Sequence, residues 1–289
     1  MKTKTILPFI LLILVFFTSC TKTEVYYFPV STRTLVLVTD VDPSSDLIVG
    51  IKGRVKTYFP EVQIEFYKAP DFDIFEGSYL LDIANQNYPP GTYIAGLIKP
   101  GNTGKSIVYE ANSKIFITPD NTLSTRVLYN NPDIVCYYIE NSLFLDGAQP
   151  EDLSFEEFFT RSILSMLSGA SLSSFGSVCT EPQLFEIQPA IMLGDTLKGE
   201  VLYVDSFGNC ITNIPEDLVA NFETGALLNM TANTTGLTIK LGTTYSSVPV
   251  GEAVCFVNNS KRLEIAINYG NFSETYQTTA NSKIAIFQP

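Results

Sequence analysis

The hydrophobic pattern of this chain changes its period once, and that change bounds the fold more tightly than any other feature. Up to about residue 180, short apolar runs alternate with helix-spaced segments. Leu35-Val36-Leu37-Val38 is continuously apolar, as a strand covered on both faces must be. Residues 62–67, 92–98, 114–117 and 134–139 read the same way. Between the early strands, residues 73–85 place Ile74, Leu80, Leu81 and Ala84 at helix-compatible positions. After Asp152, the residues Phe155, Phe158, Phe159, Ile163, Met166 and Leu167 repeat at helical spacing, and Gly169 can end that helix. Alternation of this kind predicts an α/β/α domain with a mostly parallel sheet over residues 34–182. From Lys198 onward the helical period is gone. Residues 201–204, 227–229, 237–241, 254–257, 263–267 and 284–287 are short strands between turn clusters, which predicts a C-terminal β-barrel over residues 196–289. Residues 182–199, with Pro189 and Gly194, form the natural boundary.

The first residues read as an address rather than as structure. Lys2 and Lys4 precede an apolar stretch, residues 6–17, that is too short to span a bilayer comfortably. Phe17-Thr18-Ser19-Cys20 is similar to a bacterial lipobox. The expectation is a lipoprotein signal peptide at residues 1–19, a lipid on Cys20, a linker at residues 20–33, and a place in the bacterial cell envelope as a membrane-anchored protein. An ordinary signal peptide with a chance cysteine is the plainer alternative.

Charge and composition remove several function classes. Lys+Arg 18 against Asp+Glu 30 gives a net charge of −12, which repels phosphate backbones and argues against a nucleic-acid partner. Histidine is absent, so no Ser-His-Asp or Cys-His nucleophile and no His-ligated metal can be built. No metal or cofactor is expected. Cys136, Cys179, Cys210 and Cys255 allow three disulfide pairings, among which spacing does not choose; Cys136 and Cys255 lie in apolar strand-like runs that suit buried thiols.

One motif misleads. Gly101-Asn102-Thr103-Gly104-Lys105-Ser106 looks like the end of a P-loop, but Lys99 stands where the first glycine is needed. Residues 107–109 then read as a strand, whereas a P-loop must open a helix. Thr39-Asp40, at the end of the first strand, is better placed, because ligands of open parallel sheets bind beyond the carboxyl ends of strands and an acid there can hold a ribose diol. A turn or cap aspartate is the plain reading of Asp40. Asp205, ahead of Phe207-Gly208-Asn209, has the same two readings: a ring for stacking with an amide for a base edge, or a turn closed by Gly-Asn.

In order and spacing, these segments resemble the family of S-adenosylmethionine hydroxide adenosyltransferases and the related fluorinases and chlorinases. The resemblance rests on Val38-Thr39-Asp40, Lys52-Gly53, Pro89-Pro90-Gly91-Thr92, Pro100-Gly101 and Pro119-Asp120-Asn121 in the first half. In the second half it rests on Val204-Asp205-Ser206-Phe207-Gly208-Asn209, Thr212-Asn213-Ile214, Thr244-Tyr245, Gly251-Glu252, Asn259-Ser260, Leu263-Glu264-Ile265-Ala266 and Asn268-Tyr269-Gly270-Asn271. It implies an α/β domain followed by a β-barrel, and a trimer whose sites lie between the α/β domain of one subunit and the barrel of its neighbour. It also implies ligand contacts at Asp40 for ribose, Asp205 with Ser260 for the amino-acid end, and Phe207 and Asn209 for adenine.

The family's water-activating Asp, Arg and His fall instead on Lys99, on or near Ser106 (with Lys105 the available cation), and on Phe159. Its Asp-Ile-Thr-His motif is represented by Glu65-Phe66-Tyr67-Lys68, and the halogenase Tyr-Ser pair is echoed only by Phe159-Thr160. Together with the leader, the resemblance therefore leads to the expectation of an exported lipoprotein that binds an adenosyl or nucleoside ligand with weak or no catalysis. Two alternatives stand beside it: an active S-adenosylmethionine hydrolase with a substitute water-activating group such as Lys99, and a structural or interaction lipoprotein of the envelope.

Overall fold

The computed structural model describes residues 33–98 and 104–289. The expectations for the leader, for Cys20, for the linker up to residue 32, and for Lys99 with Pro100-Gly101 lie outside the described residues.

The first half runs β1 (Thr34–Thr39), α1 (Asp46–Tyr58), β2 (Gln63–Lys68), α2 (Ile74–Asn87), β3 (Tyr93–Gly96), β4 (Ser106–Ala111), β5 (Lys114–Pro119), α3 (Thr125–Tyr129), β6 (Cys136–Tyr138), α4 (Phe155–Leu167) and β7 (Val178–Cys179). The second half runs β8 (Ile191–Leu193), β9 (Thr196–Val204), β10 (Cys210–Pro215), α5 (Glu216–Val219), β11 (Leu227–Ala232), β12 (Thr235–Leu241), β13 (Ala253–Val257), β14 (Arg262–Ile267), α6 (Phe272–Tyr276) and β15 (Lys283–Phe287).

The first sheet has the order β2-β1-β3-β5-β4-β6-β7. Its β2-β1-β3-β5 block is parallel, as the strand–helix alternation predicts. The remaining strands are antiparallel. The switch is made by a two-residue hairpin between β4 and β5, where Asn112 and Ser113 both take left-handed backbone, φ +50° and +58°. That turn matches the twist of paired strands and needs no crossover helix.

Period-two alternation places β1 in two cores at once. Leu35 and Leu37 face α1 and α4, packing with Ile51, Phe159 and Ile163. Val36 and Val38 face the opposite side, packing with Leu81 of α2 and Val127 of α3, and that core continues into Leu202 and Ile211 of the second half. Helix α4 starts at Ser154, whose hydroxyl accepts from the Glu157 amide at 3.2 Å. Helix α1 is the element that periodicity alone leaves out. Its buried stripe is only Ile48, Ile51 and Val55, and Gly50 and Gly53 lower its propensity.

In the second half, β10-β14-β13-β12-β11-β15-β9 closes into a barrel through the β9–β10 pairing, with β8 added beside β9. Leu197, Val201, Ile214, Met230 and Ile265 are among the side chains that fill its core. The two halves meet where α2 packs on β9, with the Tyr79 and Tyr203 rings stacked at 5.5 Å. A buried ion pair crosses the same joint, Arg126 Nη2 to Glu200 Oε1 at 3.7 Å, and Lys283 holds the other Glu200 oxygen at 2.5 Å. Removing one partner of such a buried pair costs about 3–5 kcal/mol. Cys136, Cys179, Cys210 and Cys255 are all buried free thiols.

Candidate functional site

The carboxyl ends of β1, β3 and β5 form one polar edge. Thr39 Oγ1 accepts from the Val41 amide at 3.2 Å and donates to the Leu97 carbonyl at 3.4 Å. Asn121 Nδ2 donates to the Ile98 carbonyl at 3.0 Å, and the Gln183 amide donates to Asp120 at 2.8 Å. Burial pushes the Asp120 carboxyl above its ordinary value, opposed by that amide. Asp40 stands on this edge at 7% exposure. Its Oδ2 accepts from the Phe72 amide at 3.0 Å, which ties the loop after β2 to the end of β1. Its other oxygen is engaged by none of the described residues. Phe72 projects into solvent with left-handed backbone, φ +60°.

The β9–β10 turn supplies the barrel's part. Asp205 Oδ1 accepts from the amides of Phe207 and Asn209, at 2.8 and 2.9 Å, and Oδ2 accepts from Asn209 Nδ2 at 2.9 Å. Gly208 sits at φ +81°, and a Cβ there would lie 1.9 Å from the Asn271 side chain. Only glycine fits that turn. The result is an amide (Asn209) fixed and buried beside a ring (Phe207) that is 75% exposed.

A recess of about 750 Å³ opens beside this turn, lined by Phe207, Asn209, Tyr245, Ile267, Asn268 and Tyr269 among others. Tyr269 is 92% exposed and left-handed at φ +57°, a sparsely populated conformation for an aromatic residue. The Tyr245 hydroxyl donates to Glu264 Oε1 at 2.5 Å, and Asn258 Nδ2 donates to Glu264 Oε2 at 3.1 Å. Burial and that bond to a carboxylate both push the Tyr245 phenol up. Ser260 is exposed on the β13–β14 turn, where its amide donates to Asn258 Oδ1; it does not line the recess.

Glu76 links the strand edge to the barrel turn. It lies in the first turn of α2, just beyond the loop held by Asp40, and its Oε1 accepts from the Val204 amide at 3.4 Å. It is 3% exposed, and its Oε2 is buried without a hydrogen-bond partner among the described residues. Burial first, then the nearby Asp73 charge, pushes its carboxyl up to about 7.

Two of the altered positions, Phe159 and Ser106, fall among the described residues. Phe159 is fully buried in the α1–α4 core, its ring 4.6 Å from that of Phe155 and 5.3 Å from that of Phe158. Thr160 is buried too, and its hydroxyl donates to the Glu156 carbonyl at 2.7 Å. Ser106 opens β4, where its carbonyl accepts from the Ile139 amide, so the P-loop lookalike leads into a strand as its sequence predicts. The Lys105 ammonium lies 4.3 Å from the Tyr138 ring centre. Phe207 and Asn209 thus line the recess with Asp205 bonded to both of them, Asp40 stands on the α/β edge, and Ser260 stands apart. Sequence reasoning passes over Tyr245 and Tyr269, although both lie within motifs that carry the resemblance, and Glu76 has no local signature at all.

The chain matches the model of the SAM hydroxide adenosyltransferase N-terminal domain over residues 35–176 and that of the C-terminal domain over residues 199–285. It is 25% identical over 214 residues to an (R)-S-adenosyl-L-methionine hydrolase of Thermus thermophilus, covering 71% of this chain and 79% of that one. It is 28% identical over 194 residues to an (R)-S-adenosyl-L-methionine hydrolase of Methanocaldococcus jannaschii, covering 64% of this chain and 68% of that one. In fold it is similar to an uncharacterised conserved protein of Thermotoga maritima, with TM-score 0.80, 22% identity, and coverage of 88% of this chain and 100% of that one. A conserved hypothetical protein of Thermus thermophilus follows with TM-score 0.67, 19% identity and the same coverage. With both halves of the family accounted for in order, this chain belongs to the SAM hydroxide adenosyltransferase family.

Proposed function

We propose that this family member binds an adenine nucleoside or adenosyl compound and hydrolyses S-adenosylmethionine poorly or not at all. The observation that carries this is an unequal one. Asp40 has a carboxylate oxygen that none of the described residues engages, at the carboxyl edge of the sheet, while the position that matches the family's histidine is Phe159, sealed in the core. A carboxylate accepting ribose hydroxyls contributes about 1.5–3 kcal/mol per hydrogen bond. A water-activating base contributes about 10²–10⁴-fold in rate, and a buried phenyl ring offers neither donor nor acceptor.

Calorimetry with adenosine and product analysis with S-adenosylmethionine test the two parts separately. Adenosine is expected to bind, Asp40→Ala to weaken it at least tenfold, and adenosine release from S-adenosylmethionine to stay near background. No measurable binding overturns the first part; hydrolysis at an ordinary enzymatic rate overturns the second and turns attention to Lys99.

The same reading makes the protein an exported lipoprotein, anchored through Cys20 in the cell envelope, and a homotrimer. Support for the anchor is the lipobox-like Phe17-Thr18-Ser19-Cys20. Support for the trimer is the exposed aromatic rim of the recess, Phe207 and Tyr269, which a neighbouring subunit would cover. Unchanged membrane fractionation of Cys20→Ala would remove the anchor, and a monomer by light scattering at micromolar concentration would remove the trimer.

A further inference from the structure

The strand register decides a question that cysteine spacing leaves open. Cys136 of β6 and Cys179 of β7 are direct antiparallel partners. Residues directly opposite across two strands project to the same face, and both side chains lie in one buried cluster with Tyr109, Phe116 and Ile107. The Tyr138 amide donates to the Ser177 carbonyl at 2.8 Å, which marks Tyr138 and Ser177 as a hydrogen-bonded pair. Pair type alternates along an antiparallel ladder, so Cys136 and Cys179, two residues further on, form a pair of the same type. The Cα atoms of such a pair are about 5.5 Å apart. That lies inside the Cα range of disulfides, about 4.4–6.8 Å. The Cβ atoms of a hydrogen-bonded pair start about 5–5.5 Å apart, so the edge strand β7 must shift inward by about 1 Å to close the bond.

The other two cysteines lack this opportunity. Cys210 of β10 and Cys255 of β13 are both register partners of Ile265, one on each side of β14. Two strand spacings, roughly 10 Å, therefore separate them, beyond the about 7 Å that a disulfide can bridge. Both belong to the barrel core, a different cluster from that of Cys136 and Cys179, so pairing across the halves is also excluded. Of the three pairings of four cysteines, only one includes Cys136–Cys179, and its complement cannot close.

We propose that Cys136 and Cys179 are a disulfide-forming site, and that the oxidised protein carries this one bond and two free thiols. The bond staples the edge strand β7 to β6 and closes the loop that contains α4. Directly after β7 the chain passes over the candidate edge, where the amides of Gln183 and Phe185 donate to Asp120 and Thr125. The staple therefore also fixes the start of the segment that joins the two halves. In the reaction, each thiol loses a proton and an electron to form the S–S bond, and a disulfide such as oxidised glutathione accepts both electrons and is released as two thiols. The occurrence of the bond in the cell rests on the exported reading above, whereas its formation in vitro does not, so the two can fail separately.

The test uses the whole chain carrying Cys20→Ala, so that four thiols remain, unfolded in urea and refolded in a glutathione redox buffer. Refolding from urea removes burial as a kinetic obstacle to oxidation. After alkylation and peptide mapping, the expected product links the peptides of Cys136 and Cys179 and has Cys210 and Cys255 alkylated. Reductant should then lower the melting temperature by roughly 5–10 °C. Cys136→Ser should abolish that response while Cys255→Ser keeps it. Four alkylated cysteines under oxidised glutathione, a link that involves Cys210 or Cys255, or a reductant response that survives Cys136→Ser would each overturn the proposal.

Discussion

The α/β edge and the barrel turn hold their acids in opposite ways. Asp205 commits both carboxylate oxygens to three hydrogen bonds within its own turn, and Gly208 and Asn271 lock that turn from outside. Asp40 gives one oxygen to the Phe72 amide, and none of the described residues engages the other. The Asp205 carboxylate is thus explained by folding alone, since its three hydrogen bonds close the turn. Asp40 is explained only in part, and the remainder is what a ligand would use. A retained acid that its own turn consumes says little about binding; a retained acid with an idle oxygen on a sheet edge says more.

The sharpest way to break this comparison is to attack the α/β half at the buried Phe159. Phe159→Ala should destabilise the protein by about 3–5 kcal/mol in urea unfolding, the usual cost of truncating a buried phenylalanine. Where folded, that variant should bind adenosine as the parent does. Phe159→His should destabilise too, because it buries an imidazole among Phe155, Phe158 and Ile163. Hydrolysis restored by Phe159→His would show that the core position still faces the reaction.

The joint between the halves gives the next effect. A free Glu76 carboxyl titrates at 4.5, and in the folded protein burial lifts it to about 7. The folded state therefore holds the proton more tightly than the unfolded one. The associated stabilisation is fully present below pH 4.5 and is lost as pH rises through about 7. Unfolding free energy should fall by about 3 kcal/mol over that window relative to Glu76→Gln, which carries no titrating group there. Parallel pH profiles for the two proteins would place Glu76 outside the joint.

Much of this architecture is legible in the amino-acid sequence. Leu35-Val36-Leu37-Val38 announces a strand buried on both faces, and the Phe155-to-Leu167 stripe announces α4, because burial imposes the period directly. The barrel follows from the spacing of its strands. Helix α1 is hidden by its glycines, and the antiparallel end of the sheet by a turn made of Asn112 and Ser113 rather than the usual Asn-Gly. Asp40, Phe207 and Asn209 are legible as parts of motifs. Glu76 is not, since its character comes from desolvation by β9, 128 residues away in sequence. The separation of Ser260 from the recess is equally invisible, because only the barrel register sets it.

A smaller change tests the barrel turn itself. Gly208→Ala forces a left-handed alanine, costing about 1–2 kcal/mol, and drives its methyl into the Asn271 amide. A total loss of about 2–3 kcal/mol in unfolding free energy is expected, with adenosine affinity lost because Phe207 and Asn209 no longer keep their places. Unaltered affinity in Gly208→Ala would show that the recess takes no part in binding.

The smallest stability effect belongs to Tyr269, and it separates fold from function most cleanly. At 92% exposure this side chain has almost no packing to lose, yet its backbone sits in the left-handed region. Replacing it by glycine relieves a conformational cost of about 1–2 kcal/mol and adds a loss of about 0.5–1 kcal/mol in unfolded-state entropy. The two partly cancel, so Tyr269→Gly should change unfolding free energy by about 0–1.5 kcal/mol, in the stabilising direction. Stacking of an aromatic ring on a base, by contrast, contributes about 1–3 kcal/mol, so adenosine affinity should fall roughly tenfold. The two candidates for stacking on this exposed ring are a base and a neighbouring subunit. Calorimetry and light scattering on the same variant distinguish these: weakened adenosine binding with the oligomer intact assigns the ring to the ligand, and dissociation with unchanged affinity per site assigns it to the interface.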